Sequence, residues 1–472
     1  MCLHKNRDGK GLEGSFGDTP RMSLPAEVRV LQLCTSTVNR LCKMTRNVFL
    51  LGHDDFHARY LEHLQLDAGI TFQPLLRSDE LVYQDNYDID GLLDRARTVV
   101  DDFDGSVDGI ITHWDFPAAS MLAILCDERG LPAPSLEATL KCSHKYWSRV
   151  EQHKVSPEST PDFCAVDPFD DKSADKISID YPFWIKPVKG YGSALGFKVE
   201  KREDLEAALE EAREKIERLG DPVNRLLDRV EMPPDVRGVD GNHMIAEAFV
   251  GGKEIAPEGY VQGGRFHAHG MFDMVRGSNG KSFHRYHYPS TAPESVKRRA
   301  LDICERVLHQ VGFDHGCFNV EFFWDRDQDR LWIIEVNPRL SQSHSNLFEK
   351  VDGTSNHAVA VQLALGEEPH FEHGNGPFAH AAKFLYRRYD KTDAVAVRVP
   401  DDEDLAALEQ RQPDTEVQIK LEKGMRLTEL LDEDAYSYVL AELHIGADSI
   451  DEIEQKFEDA CELLPFEFDP VA

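Results

Sequence analysis

The chain has 472 residues, enough for several domains or subdomains at roughly 100–200 residues each. Its formal net charge of −32, from 85 acidic and 53 basic residues, argues against binding along a nucleic-acid backbone, which requires a basic face. The charge fits either an ordinary acidic protein or a host with a salty interior.

The sequence shows no pattern of a membrane span, a secretory signal or paired cysteines. No run approaches about 18 apolar residues, and the first twenty residues lack the apolar centre of a secretory signal. None of the nine cysteines forms a CxxC pair, which indicates neither a zinc cluster nor a disulfide framework. We therefore expect a cytoplasmic protein with no membrane partner. Residues 1–46 are expected to be a disordered tail, with Met44 as an alternative start of translation.

Residues 47–137 alternate between strand and helix patterns. The strands are "NVFLLG", "ITFQPLL" and "DGIITH", and helical patterns separate them. This alternation predicts a small parallel, Rossmann-like α/β domain whose ligand cleft lies at the carboxyl ends of the strands. The polar residues at those ends are either cleft walls or ordinary loop and cap residues: His53, Asp54, His113 and Asp115.

Residues 138–372 change character. A helical stretch, "EATLKCSHKYWSRVEQHKV", is followed by strands such as "YPFWIKPV", "HMIAEAFV" and "EIAPEGYVQ", and by one amphipathic surface helix at 202–219. The remaining residues, 373–472, mix strands with helices such as "SIDEIEQKFEDACELL" and are predicted to form a small α+β cap.

A β-hairpin is predicted in "GCFNVEFFWDRDQDRLWIIEVNPR", where a polar turn separates two apolar strands. Glu335 interrupts the second apolar strand. Because side chains alternate along a strand, we expect Glu335 and Asn337 to share a face with Leu331 and Ile333. If the register places Glu321 opposite Glu335, two carboxylates oppose each other, which destabilises a sheet.

A hard cation would relieve that repulsion. Mg²⁺ is held in proteins by one or two carboxylates together with substrate phosphates, and Mn²⁺ is an alternative. Asn337 adds a neutral oxygen, and Arg339 follows where it could grip a phosphate or a carboxylate in bidentate fashion. The hairpin therefore predicts a divalent metal site next to a nucleotide.

Two cationic segments and one turn are candidate nucleotide contacts. Lys186 ends an apolar run and precedes a loop with Gly190 and Gly192, whose backbone could approach phosphates closely. Lys145 in "SHKYWSR" is a second candidate, although either lysine in isolation could be ordinary. In "IAEAFVGGKE" a carboxylate again interrupts an apolar run before a Gly-Gly turn.

These elements, in this order and spacing, resemble the ATP-grasp superfamily of ATP-dependent ligases, from about residue 47 to at least 365. The resemblance implies a nucleotide clamped between two α+β subdomains, after a pre-grasp domain. The implied contacts of the ATP phosphates are Lys145, Lys186, Gly190 and Gly192, and those of adenine and ribose are Glu247, Val250 and Glu254. The implied metal ligands are Glu321, Glu335 and Asn337, and Arg339 would face the transferred group.

The resemblance further implies an ADP-forming ligase that activates a small carboxylate as an acyl phosphate and joins it to an amine. Arg339 and Lys186 would serve the chemistry directly. The segment "LSQSHSNLFEKVDGTSNH" is similar to the substrate side of carboxylate–amine ligases of the amino-acid ligase and biotin-carboxylase type, but it departs from the best-known subfamilies. The sequence therefore names neither the acid nor the amine, and it leaves a homodimer open.

Two alternatives remain at this point: a kinase of the same fold, and a non-catalytic nucleotide-binding protein. A mobile lid is expected to protect an acyl phosphate, with the loop Gly190–Gly196 and the segment 276–290 as lid or pocket candidates. The histidines His267, His269, His284 and His287 are predicted to be strand-borne or pocket residues rather than transition-metal ligands.

Overall fold

The computed structural model describes residues 45–471, except 65, 67–68, 83, 85, 191–194 and 431–435. The predicted tail and Met44 therefore lie outside the described residues, apart from Thr45 and Arg46. Within those ranges, no helix is both long enough and apolar enough to cross a membrane.

The N-terminal region is the predicted small parallel sheet. Its central strand is buried along six of eight residues, as expected for a strand covered on both faces. The strand order is β2-β1-β3, and both pairings are parallel. The elements are β1 (Arg46–His53), α1 (Asp55–Glu62), β2 (Ile70–Arg77), α2 (Ser78–Leu81), α3 (Ile89–Asp101), β3 (Gly109–Ile111) and α4 (Ala118–Arg129).

A four-stranded antiparallel sheet of order β4-β7-β5-β6 forms the next unit. The predicted single helical stretch before it is in fact two helices. The elements are α5 (Leu136–Ser143), α6 (Lys145–Val155), β4 (Phe163–Val166), α7 (Ser173–Lys176), β5 (Phe183–Pro187), β6 (Phe197–Val199), α8 (Arg202–Lys215), α9 (Glu217–Leu227) and β7 (Met244–Ala248), with a 3₁₀ turn at Pro157–Ser159.

The third unit contains the predicted hairpin. Helix α10 covers one face of its sheet and packs with apolar residues of the hairpin strands, including Phe318, Phe322 and Ile333, in one core cluster. The elements are β8 (Lys253–Gln262), β9 (Arg265–Arg276), β10 (Phe283–Tyr288), α10 (Glu294–Val311), β11 (Gly316–Asp325), β12 (Arg330–Asn337), α11 (Ser345–Asp352) and α12 (Asn356–Ala364), with a 3₁₀ turn at Gln342–His344.

The C-terminal region is α+β, but it is not separated from the hairpin unit by a sheet boundary. Its strands continue that sheet, which has eight strands in the order β12-β11-β8-β9-β10-β13-β16-β15, while β14 and β17 pair separately. The elements are β13 (His380–Arg388), β14 (Ala394–Arg398), α13 (Asp402–Arg411), β15 (Glu416–Ile419), β16 (Tyr438–Ala447), α14 (Ile450–Leu463) and β17 (Glu467–Pro470), with a 3₁₀ turn at Leu427–Glu429.

Candidate active site

The break between α5 and α6 places Lys145 at a helix N-terminus. His144 leaves the helical conformation (φ −81°, ψ 101°), and its Nδ1 accepts the backbone N–H of Trp147 at 3.2 Å. The freed backbone N–H of Lys145 donates to the carbonyl of Val188 at 2.7 Å. The side chain then reaches the hairpin, with Nζ 2.9 Å from Glu335 Oε1.

The hairpin register meets the condition on which the predicted metal site depends: Glu321 lies opposite Glu335. Asn319 lies opposite Asn337. The expectation that Glu335 shares a face with Leu331 and Ile333 is wrong. The register shifts between Glu321 and Phe322, because Phe322 pairs with Ile333 and leaves one extra residue on β12.

That extra residue, Ile334, is a β-bulge, and it changes which face the following residues take. Leu331, Ile333 and Val336 all lie in the core cluster beneath the sheet. The intervening Glu335 therefore points away from the core. The carbonyl of Ile334 accepts a hydrogen bond from Arg149 Nη2 at 2.7 Å. The bulge explains how a carboxylate can stand inside an apolar run.

The two opposed carboxylates have different charge environments. Burial would raise the pKa of Glu335, but Lys145 and two neighbouring lysines outweigh it and lower the pKa. For Glu321, burial and the nearby Glu335 both raise the pKa. Among the described residues, Lys145 alone forms an ion pair with these acids, and it pairs with Glu335, so Glu321 has no ion-pair partner.

The residues on this face fit a hard divalent cation. Asn337 Nδ2 lies 3.4 Å from Glu321 Oε1, so the amide and the carboxylate are adjacent. The buried Nδ2 of Asn319, a hydrogen-bond donor, makes no hydrogen bond with any described residue, so an acceptor oxygen rather than a cation would satisfy it. Two carboxylates and an amide oxygen are the donors that Mg²⁺ prefers.

Lys186 is held by Glu247, which it pairs with at 2.6 Å. The other oxygen of Glu247 accepts from Arg149 Nε, also at 2.6 Å. Burial would raise the pKa of Glu247, but the two cations outweigh it and lower the pKa to about 2. In this structure Glu247 positions two cations, and its contact with adenine stays a prediction.

Sequence reasoning missed two cations of this cluster. Arg149 follows Lys145 by four residues on α6, a spacing that places both side chains on one face of a helix. Lys189 is 5% exposed and pairs with Asp115 of the N-terminal region at 3.0 Å. The i,i+4 spacing could have indicated Arg149, whereas the Lys189 pair joins distant segments and has no local signal.

The predicted adenine contact Val250 lies at the Gly-Gly turn before β8, and the predicted ribose contact Glu254 lies on β8. Glu254 is buried and accepts from Arg276 Nε at 2.5 Å, although burial still raises its pKa. Gly252 has φ +147°, and a Cβ there would lie 2.3 Å from the carbonyl of Trp324, so the turn requires glycine. Val250 is half-buried in this turn. Its role and that of Glu254 stay predictions.

The glycine loop is described only in part. Gly190 is half-buried, and its carbonyl accepts from Lys145 Nζ at 3.4 Å. Gly192 lies outside the described residues, as do three other residues of the lid candidate Gly190–Gly196. The other lid candidate, 276–290, contains strand β10 of the eight-stranded sheet. Its Phe283 and Tyr286 line a cavity beside the hairpin.

A cavity of about 800 Å³ opens beside the hairpin. Arg339 lies on its wall together with Glu321, and its Nη1 donates to the carbonyl of Leu340 at 3.1 Å. No carboxylate of the described chain pairs with Arg339. The N-terminal region contributes Asp54, His113 and Asp115 to the lining, but not His53.

The opposite wall of the cavity comes from the C-terminal region. Glu442 on β16 lies 3.0 Å from Lys383 Nζ and 3.4 Å from Lys420 Nζ. Burial would raise the pKa of Glu442, but the two lysines outweigh it and lower the pKa to about 2. One carboxylate shared by two lysines leaves this wall with excess positive charge.

Four histidines lie on β9 and β10 of the eight-stranded sheet: His267, His269, His284 and His287. Within the described ranges they form no cluster that could hold a metal ion. His267 stacks on Tyr260 with ring centroids 4.6 Å apart, and His269 stacks on Phe371 at 4.5 Å.

Comparison with known proteins identifies the fold. Residues 179–346 match the family model of the ATP-grasp domain. The solved structure of L-amino acid ligase from Bacillus licheniformis superposes with a TM-score of 0.67 at 18% identity, covering 90% of this chain and all of that chain. The biotin carboxylase domain of the Hydrogenobacter thermophilus 2-oxoglutarate carboxylase was solved with MgADP and bicarbonate. It superposes with a TM-score of 0.57 at 16% identity, covering 94% of this chain and 88% of that chain.

Relatives in sequence match shorter segments. D-alanine--D-alanine ligase from Synechococcus sp. (strain CC9605) is 31% identical over 160 residues, which are 34% of this chain and 40% of that protein. Carbamoyl phosphate synthase large chain from Arthrobacter sp. (strain FB24) is 39% identical over 76 residues, 16% of this chain and 7% of the relative's length. The predicted resemblance is confirmed: the chain has the ATP-grasp fold, and its residues 179–346 match the model of the ATP-grasp domain.

Proposed function

We propose that the protein is an ATP- and Mg²⁺-dependent ligase that converts a small-molecule carboxylate into an acyl phosphate and joins it to an amine, releasing ADP and phosphate. The observation that carries this proposal is the bulged hairpin. It turns Glu335 out of the core, opposite Glu321 and next to Asn337, at the edge of a cavity that Arg339 lines.

The charges around the hairpin support a triphosphate substrate. Lys145 contacts Glu335 directly, and Lys186 and Lys189 lie close enough to lower its pKa. These lysines approach the hairpin from α6, from β5 and from the residues after β5. A magnesium ion held by Glu321, Glu335 and Asn337 would neutralise phosphate charge as it develops during transfer.

The cavity supports a carboxylate as the group that is activated. Arg339 has no carboxylate partner in the described ranges, and a guanidinium binds a substrate carboxylate in bidentate geometry. The lysine-rich wall around Glu442 adds positive charge on the far side. An acidic or zwitterionic substrate fits this cavity better than a neutral one.

The reaction has two transfers. A carboxylate oxygen of the first substrate attacks the γ-phosphorus of ATP, the bond from that phosphorus to the bridging oxygen breaks, and ADP leaves. The amine nitrogen of the second substrate then attacks the carbonyl carbon, phosphate leaves with the bonding electrons, and the nitrogen loses one proton. Little covalent work falls to protein groups, because positioning and charge stabilisation lower both barriers.

The chain's own residues divide these tasks. Lys145 and Lys186 would hold the phosphates, while Arg149 and Glu247 keep Lys186 and the bulged strand in place. Arg339 would orient the carboxylate for attack. The ion pair between Lys189 and Asp115 joins the segment after β5 to the N-terminal region, closing one side of the site.

The proposal is tested by incubating the full chain with ATP, Mg²⁺ and pooled amino acids and small carboxylic acids. ADP release and mass-shifted products are followed together, and hydroxylamine is added in a parallel reaction to trap an acyl phosphate as a hydroxamate. We expect ADP release that depends on a carboxylate, equimolar condensed product and a hydroxamate in the trapped reaction.

The alternatives give different products. A stable phosphoester with no hydroxamate would identify a kinase and overturn the ligase proposal. ATP binding with no ADP release above the Glu335→Gln background, across the whole substrate pool, would indicate a non-catalytic binding protein.

A further inference from the structure

A second group of potential ligands lies across the cavity from the hairpin, in the N-terminal region. Asp54 precedes α1, His57 lies in the first turn of α1, and His113 follows β3. His57 Nδ1 lies 2.9 and 2.8 Å from the two carboxylate oxygens of Asp54. His113 Nε2 lies 3.4 Å from Asp54 Oδ2, and the two imidazole rings are 4.1 Å apart.

His113 is the unusual member of this cluster. Its side chain is 1% exposed, yet Nε2 makes no hydrogen bond with any residue that the structure describes. A buried polar atom without a partner costs about 1–3 kcal/mol, so its presence requires an explanation. Nε2 is directed at an ionised carboxylate, and a bound cation would satisfy both groups at once.

The outer contacts of His113 fix its orientation. Its Nδ1 lies 3.4 Å from His357 Nε2, and His357 Nδ1 lies 2.9 Å from Ser345 Oγ. Metal-bound histidines characteristically donate their second ring nitrogen to such a partner, which sets the tautomer and the ring plane. This chain of contacts leaves Nε2 as the nitrogen that faces Asp54.

The spacing is compatible with a bound ion, and the ligand types discriminate between classes of ion. Two atoms bound to one tetrahedral metal at about 2.0 Å lie about 3.3 Å apart. The Asp54 contacts of 2.8–3.4 Å bracket that value. Two imidazoles and a carboxylate favour Zn²⁺ and related transition ions over Mg²⁺, which prefers oxygen ligands.

We propose that Asp54, His57 and His113 form a Zn²⁺-type transition-metal site, distinct from the magnesium site of the hairpin, with an open coordination position facing the cavity. All three residues line the same cavity as Glu321 and Arg339. Three protein ligands with one open position are typical of zinc sites that contact water or substrate. Metal binding here does not depend on the ligase activity.

The test uses Co²⁺ as a spectroscopic probe on the full-length chain, with excess Mg²⁺ present to saturate oxygen-ligand sites. We expect about one Co²⁺ per chain with the visible absorption bands of a tetrahedral nitrogen and oxygen environment, displaced by added Zn²⁺. Asp54→Asn retains a side chain that can cap α1, and it should weaken Co²⁺ binding at least about 100-fold. His113→Ala should do the same, and His357→Ala should weaken it about 10- to 100-fold.

Two controls separate this site from others. His370→Ala removes an exposed histidine paired with Glu372, and Glu321→Gln alters the hairpin, so both should bind Co²⁺ as the unmodified chain does. Unchanged Co²⁺ affinity in Asp54→Asn would overturn the proposal, even if His113→Ala failed to fold. Loss of the bands in Glu321→Gln would place the ion in the hairpin instead and would equally overturn it.

Discussion

The hairpin and the C-terminal wall face the same cavity with opposite imbalances of charge. On the hairpin, Glu321 and Glu335 oppose each other, and only Glu335 contacts a lysine. On the wall, the single carboxylate of Glu442 is shared by Lys383 and Lys420. Burying like charges together costs free energy unless a ligand compensates. The first region thus lacks a cation, and the second lacks an anion.

The largest expected effect comes from removing the charge of Glu335 on the hairpin. Glu335→Gln removes the negative charge but keeps the shape, and we expect ADP release to fall by about 1000-fold or more, because charge stabilisation carries the phosphoryl transfer. Steady-state ADP assays at saturating Mg²⁺ measure this. Asp327→Asn, in the exposed turn of the same hairpin, is the matched control and should retain full activity.

Arg339 lines the same cavity as the two regions and has the second largest expected effect. Arg339→Lys keeps the charge but loses the bidentate fork, so kcat/KM for the carboxylate should fall by about 100-fold while the KM for ATP stays nearly constant. Initial rates at varied carboxylate and varied ATP separate the two constants. If kcat/KM for ATP fell as much as kcat/KM for the carboxylate, Arg339 would serve the nucleotide instead.

A measurement of folding stability tests the charge balance of the C-terminal wall. The pKa of Glu442 is lowered from about 4.5 to about 2, so its ion pairs stabilise the fold above pH 4.5, and this contribution is lost as pH falls toward 2. Glu442→Gln should therefore lower the free energy of unfolding by about 2 kcal/mol at pH 7. Urea unfolding of both chains should show this difference shrinking below pH 4.5. Glu422→Gln, an exposed change nearby, should show no such convergence.

The smallest expected effect concerns Lys420, which is 20% exposed. Lys420→Met leaves Glu442 paired with Lys383 but removes the excess positive charge. The KM for an acidic substrate should rise about tenfold, with kcat and the KM for ATP nearly unchanged. Lys423→Met, exposed three residues away, should alter none of these constants. An unchanged KM in Lys420→Met would show that the wall does not bind the substrate's charge.

Local patterns predicted the strands and the hairpin, because a polar turn separates two apolar strands, and they left the opposition of Glu321 and Glu335 conditional on the register. They did not predict the bulge at Ile334, since an extra residue in a strand leaves no mark in composition. The regular alternation therefore assigned Glu335 to the wrong face. The break at His144 was missed for a similar reason, because its cap is a histidine rather than a usual capping residue.

Contacts between distant segments were harder to predict from the sequence. The pair of Lys189 with Asp115 depends on how the N-terminal region meets the rest of the chain, whereas Asp54 and His113 approach each other within that region, after the paired strands β1 and β3. Asp54 and His113 could be marked as residues at strand ends, but their burial and the lack of a partner for Nε2 emerge only in three dimensions. His57 had a weak signal, three residues after Asp54 at helical spacing.

The uninterrupted eight-stranded sheet limits how this protein can be shortened or recombined. Strand β10 is hydrogen-bonded to β9 on one side and to β13 on the other. A chain cut near residue 373 would leave the backbone groups of β10 open to pairing with other molecules, and such edges promote aggregation. Exchanging the last hundred residues with those of a relative would graft three of the eight strands of one hydrogen-bonded sheet onto another, so chimaeras designed to change substrate choice should carry β10 and β13 together.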